Sequence, residues 1–183
     1  MKYFYSLLSL SIIAVIATFC IGAFYSYFYP MDYKDQIVEY SQLYGIDAGI
    51  VASVANVESG FNENALSSKG ARGVMQLIPS TAEWLAGKLG EDYSEEMLYN
   101  GEFNIKLGSF YLAYLVAMFG NEKTAICAYN AGQGNVKNWL KSEEYSRDGK
   151  TLKKIPFAET KEYLNKVLKN YEYYKNRYKN LVK

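Results

Sequence analysis

Histidine does not occur in the 183 residues. Its absence removes Ser-His-Asp and Cys-His nucleophile systems and the commonest metal ligand. Acid–base chemistry must therefore fall to Glu, Asp, Lys or Tyr. Cysteine is nearly missing. Cys20 sits in an apolar run and Cys127 in a helical pattern, which gives neither a disulfide framework nor zinc spacing. Both read as small buried hydrophobes. Period-2 alternation is lacking as well, and there is no internal repeat or low-complexity linker. That leaves an all-α soluble part, with at most a very small β element inside the loop Ala65–Ile78.

Charge is absent from Tyr3 to Met31. This run is longer than the roughly 20 residues that span a bilayer core, and it ends in Phe24, Tyr25, Tyr27, Phe28 and Tyr29, a belt suited to a membrane–water interface. A cleaved signal peptide needs a shorter apolar core and a small-x-small site; Ile21-Gly22-Ala23 is a poor one. Phe19 before Cys20 breaks the lipoprotein pattern. Residues 1–31 are therefore expected to be an N-terminal transmembrane anchor; Lys2 set against the mixed Asp32, Lys34 and Asp35 orients it only weakly. Residues 32–183 form the expected folded domain, with 141–155 a polar loop. Asp32 to Gly149 carries 9 basic and 16 acidic residues, whereas Lys150 to Lys183 carries 10 basic and 3 acidic. The basic end reads as a solvated helix face or as a contact with an anionic surface.

What is present is a succession of amphipathic patterns. Tyr33, Ile37, Tyr40 and Tyr44 recur at helix spacing and Gly45 ends them. Asp47 is a good N-cap for a helix through Val51 and Val54 to Glu58, stopped by Gly60. Pro79 opens another helix, with Ser80 and Glu83 at capping-box spacing and Trp84, Leu85 and Leu89 on its inner face. Helices are expected from Glu102 to Phe119, Glu122 to Ala131 and Asn135 to Leu140. Pro156 opens the last, with Tyr163, Val167, Tyr171, Tyr174 and Tyr178 inward.

Four clusters could carry chemistry. Glu58 closes an apolar helix and faces a loop rich in Gly, Asn and Ser. It is either an ordinary exposed carboxylate or an acid whose pKa is raised by its apolar setting. Gly73-Val74-Met75-Gln76 is compact. Met75 could be core, and Gln76 could satisfy a turn or a ligand. Ala128-Tyr129-Asn130-Ala131-Gly132 offers a helix cap or hydrogen bonds to a sugar. In Ile155-Pro156-Phe157-Ala158-Glu159-Thr160 and onward, Tyr163 is a core position whose hydroxyl needs a partner.

In this order the clusters resemble the catalytic domain of the soluble-type lytic transglycosylases, glycoside hydrolase family 23, which share a lysozyme-like helical fold. The resemblance covers roughly Tyr33 to Tyr178. It implies that Glu58 is the single catalytic acid and that Tyr163 hydrogen-bonds it. It also implies that Ser67, Met75, Gln76, Tyr129 and Asn130 hold the glycan. Val74 replaces the usual Leu of the Gly-Leu-Met-Gln motif, Glu63 stands where Pro is frequent, and Cys127 where Ala is common. The implied reaction cleaves the bond from N-acetylmuramic acid to N-acetylglucosamine without water and leaves a 1,6-anhydro end. The implied partners are peptidoglycan strands and the cytoplasmic membrane, with the amino end cytoplasmic and 32–183 as the catalytic domain outside, where that substrate lies. No metal, nucleotide cofactor or nucleic acid is implied. A hydrolase using the same glutamate and a non-catalytic wall-binding module are the competing readings. An ordinary glycosidase needs two carboxylates, and beyond Glu58 only Glu63 or Glu83 is expected as a possible second one in the cleft.

Overall fold

Pro30 marks a division of the chain into two units, Met1–Met31 and Asp32–Lys183. The computed structural model describes residues 2–179 and 181, with side chains from residue 12 onward. The first unit is one helix, α1 (Lys2–Phe28). From Ile12 its apolar side chains are exposed, Phe19 by 76% and Tyr27 by 80%. Cys20 is exposed too, against the expectation of burial, because a single helix has no second element in its own unit to cover it. Among the described residues no helix is long and apolar enough to cross a membrane.

The second unit is helical. Its elements are α2 (Lys34–Tyr44), α3 (Ala48–Ser59), α4 (Pro79–Leu89), a 3-10 turn (Glu95–Tyr99), α5 (Gly101–Phe119), α6 (Glu122–Ala131), α7 (Gln133–Leu140) and α8 (Ala158–Lys179). Among the described residues there are only isolated β-bridges. Leu66–Arg72 and Arg72–Leu77 lie in the expected loop, and Ser146–Leu152 folds part of the segment read as plain loop.

α3 is the buried axis. Every residue from Ala48 to Ala55 is inside, the mark of a helix surrounded by others rather than laid on a surface. Asp47 caps it as expected, its Oδ1 accepting from the Gly49 and Ile50 amides. α8 makes the most extensive contact with α3. The two backbones approach so closely that a Cβ on Gly49 would stand 3.0 Å from the backbone of Lys175. α5 packs on α2 and α6, burying Ile105, Leu107, Leu112 and Leu115.

Three local expectations fail. α4 has no capping box: its N-cap is Ile78, and Pro79 fills the first position, where its missing N–H costs nothing and its fixed φ suits the helix. Trp84 is 37% exposed while Ala82, Leu85 and Ala86 turn inward, so the buried face of α4 is rotated from the one expected. Tyr171 of α8 is half-exposed and donates to Asp47 Oδ2 at 3.0 Å.

Candidate active site

The buried axis delivers its last turn to a cleft. α3 ends at Gly60, whose φ of +62° is open to glycine without strain, and this stop leaves Glu58 partly buried on the final turn. The Tyr163 hydroxyl donates to Glu58 Oε1 at 2.6 Å. Tyr163 lies on α8, so the helix pair that builds the core also sets this contact. Burial pushes the Glu58 carboxyl up to about 7, against the Tyr163 hydrogen bond, which favours the ionised form and lowers it. A carboxyl in that state holds its proton near neutral pH and can return as a base.

The cleft has a volume of about 340 Å³. Glu58, Ser67, Gln76, Tyr129 and Asn130 line it, as do Lys69 and Glu159. The loop Ala65–Ile78 forms one wall. It is closed by Ser67 N–H donating to Ala71 O at 2.9 Å, Gly73 N–H to Ala65 O at 2.9 Å and Leu77 N–H to Arg72 O at 3.1 Å. Gln76 has φ +49°, an unusual value for a side-chain-bearing residue and one held only by its surroundings. Its Nε2 donates to Ala65 O and Gly73 O. The amide nitrogen thus braces the wall, and its carbonyl end is left for a ligand.

The far wall is braced in the same manner. Tyr129 donates to Met75 O at 2.8 Å, so its hydroxyl proton serves the wall and its oxygen remains an acceptor. Asn130 Oδ1 accepts from Thr160 Oγ1 at 2.7 Å, which reserves the amide N–H groups for the cleft side. Met75 is the exception among the expected ligand-holding residues. It is fully buried and packs so tightly on α5 that a Cβ on Gly108 would lie 2.2 Å from its sulfur. It belongs to the core; its apolar, flexible side chain fills the gap that Gly108 leaves.

The sequence also left roles unread. Glu159 is a second carboxylate on the cleft, exposed and 3.5 Å from Lys69. Of the two considered earlier, Glu63 accepts from Tyr33 and Glu83 is exposed; neither lines the cleft. Asn104 was not singled out, and Thr160 was quoted in the fourth cluster without a role, because both are ordinary polar residues until their partners, 29 and 30 positions away, are known.

Replacing Tyr163 by Phe tests the contact to Glu58. With the lowering hydrogen bond gone, the Glu58 pKa rises further, so the alkaline fall-off of any Glu58-dependent rate moves to higher pH. The rate itself drops roughly ten- to hundredfold through lost orientation. A pH–rate profile with the fall-off unmoved removes the assigned role.

The profile of the transglycosylase SLT domain matches residues 35–152. Over 152 residues the chain is 34% identical to the soluble lytic murein transglycosylase of Salmonella typhimurium, covering 81% of this chain and 24% of that protein. It is 29% identical over 169 residues to membrane-bound lytic murein transglycosylase C of Serratia proteamaculans, covering 79% and 47% respectively. Among solved structures, an inactive glutamate-to-glutamine mutant of lytic transglycosylase Slt from Pseudomonas aeruginosa superposes with a TM-score of 0.73. It shares 32% identity over 81% of this chain and 25% of that one. The chain spans about a quarter of the length of the Salmonella typhimurium and Pseudomonas aeruginosa relatives.

Proposed function

The chain belongs to the transglycosylase SLT domain family, and from that premise we propose that it is a peptidoglycan lytic transglycosylase in which Glu58 acts first as acid and then as base. The observation that carries this reading is the 2.6 Å bond from Tyr163 to a Glu58 carboxyl whose pKa stands near 7, at the head of the cleft. Tyr163 occupies Oε1, so Oε2 carries the proton. That proton passes to the glycosidic oxygen between N-acetylmuramic acid and N-acetylglucosamine, and the bond to C1 breaks. The substrate's acetamide stabilises the cation at C1. The Glu58 carboxylate then takes the proton of the muramyl C6 hydroxyl, and O6 closes on C1. Glu58 ends as it began, and no water is consumed. Ser67, Gln76, Tyr129 and Asn130 hold the glycan against the walls. The inactivity of the glutamate-to-glutamine mutant of the structural relative agrees with a mechanism centred on one glutamate.

Glu159 gives the hydrolytic reading a second cleft carboxylate. It is exposed and paired with the Lys69 ammonium, so that pair must open before its carboxylate can serve as a base or nucleophile. We propose as well that residues 1–31 serve as a single-pass anchor that places residues 32–183 outside the cytoplasmic membrane, where the substrate lies, although among the described residues no helix is long and apolar enough to cross a membrane. The charge-free run from Tyr3 to Met31, the exposed apolar side chains of α1 and the membrane-bound relatives support this.

The test digests purified peptidoglycan with the full chain in detergent and weighs the muropeptides. Products one water lighter than hydrolytic ones are expected; free reducing ends would assign the chain to hydrolysis, and no cleavage to wall binding. Membranes collected before detergent is added report the anchor, since the full chain should stay with them after alkaline extraction and not pass into the wash.

A further inference from the structure

Trp84 is the residue of α4 that left its expected place in the core. α4 begins at the cleft, where Ile78 and Thr81 line the wall. Trp84 follows Thr81 by three positions, so the two are neighbours on one helix face. It lies about 9 Å along the axis from Ile78. Its indole meets Tyr111 edge-on at 6.4 Å and Tyr114 at 5.1 Å. Tyr111 itself lines the cleft and stands 5.3 Å from Tyr129. A continuous run of rings therefore leads from beside Glu58 out to solvent.

Two further features belong to this surface. The Lys88 ammonium lies 4.9 Å from the Trp84 ring centre and 5.6 Å from that of Tyr114. Gly87, three residues after Trp84, has open space where a Cβ would go. Packing does not require glycine there, and glycine within a helix costs stability relative to alanine. Its missing side chain leaves the surface beside the indole bare.

A pyranose ring offers polarised C–H groups on its face and polar groups at its edge. It stacks on an aromatic face and hydrogen-bonds sideways; a sugar stacking on the indole displaces the Lys88 ammonium, which stands over that ring, to its own polar edge. An anionic sugar unit, such as one bearing a lactyl-linked peptide, would also meet the ammonium. We propose that the surface formed by Trp84, Tyr114 and Lys88 is an outer glycan subsite, holding sugar units of the strand beyond those in the catalytic cleft. This rests on the reading of the cleft as a peptidoglycan site. The occupant is chosen by continuity: the same row of rings borders both the cleft and the platform.

The test compares long glycan strands with a short oligosaccharide for the wild-type chain, Trp84→Leu and Trp84→Phe. Leucine keeps apolar volume without the ring, so folding is preserved while stacking is lost. Trp84→Leu is expected to raise the half-saturating concentration of long strands relative to short ones by about five- to tenfold, and Trp84→Phe to restore most of it. An unchanged ratio in Trp84→Leu, or an equal shift for both lengths, overturns the subsite. Sedimentation with insoluble peptidoglycan, using Glu58→Gln with and without Trp84→Leu, separates this from the catalytic reading. Weaker sedimentation of the double variant supports the platform even if the wild-type chain proves not to cleave, and equal sedimentation of the two refutes it.

Discussion

Glu58→Gln is expected to reduce glycan cleavage by about 10³-fold or more, because one group supplies both proton transfers, and to stabilise the fold at the same time. The two effects have one origin. Burial raises the carboxyl from its ordinary 4.5 to about 7, so the folded chain binds this proton more tightly than the unfolded chain. Stability therefore falls as pH rises from 4.5 to 7, and the full cost of ionising a buried carboxyl stands above 7. The shift corresponds to roughly 3 kcal/mol. Glutamine keeps the shape and an acceptor for Tyr163 but never ionises. Thermal unfolding at pH 8 should place the variant above the wild-type chain, and the gap should close as the pH approaches 4.5. A variant that is inactive but no more stable at pH 8 would mean that Glu58 titrates like a solvated carboxylate, and the acid role would lose its physical basis.

How much of this was legible beforehand follows from the range of each interaction. The Asp47 cap and the Gly60 stop are local signals, written within three residues of the helix ends they control. The helices and their buried faces were legible for the same reason, since periodicity is a near-neighbour property. Trp84 shows the limit. A tryptophan at helical spacing reads as core, and only the packing of α4 against α5 decides that Leu85 takes the inside and the indole the rim. Met75 fails in the opposite direction. Its motif suggested a ligand contact, but Gly108 leaves a hole in α5 that the thioether fills. The second carboxylate of the cleft could not be found by looking near Glu58, because Glu159 arrives on α8, a hundred residues later in the chain.

Asn104 is the residue whose loss should damage the fold and the cleft together, and nothing in its surroundings in the chain announces it. It is fully buried on α5. Its Oδ1 accepts from the Met75 amide at 2.7 Å, and its Nδ2 donates to Arg72 O at 3.0 Å and Leu98 O at 2.9 Å. One side chain thus fastens both ends of the Gly73–Gln76 turn and the 3-10 segment before α5. The fit leaves no room for a side chain at Gly73, where a Cβ would lie 2.4 Å from the Asn104 amide nitrogen. Asn104→Leu has a similar volume and takes the side-chain partner from the Met75 N–H and Leu98 O, each worth about 1–3 kcal/mol when stranded inside, while Arg72 O keeps the Leu77 amide. Partial relaxation and the remaining clasp from Ser59 to Val74 O should hold the net loss to about 2–4 kcal/mol, or roughly 10 °C in melting temperature for a domain of this size. The turn carries Gln76 and presents the Met75 carbonyl to Tyr129, so the fraction that still folds should cleave glycan strands more slowly at 25 °C, beyond what its folded population accounts for. Asn104→Leu with wild-type melting would show that the β-like bonds between Arg72 and Leu77 hold this wall on their own, and that α5 only lies behind it.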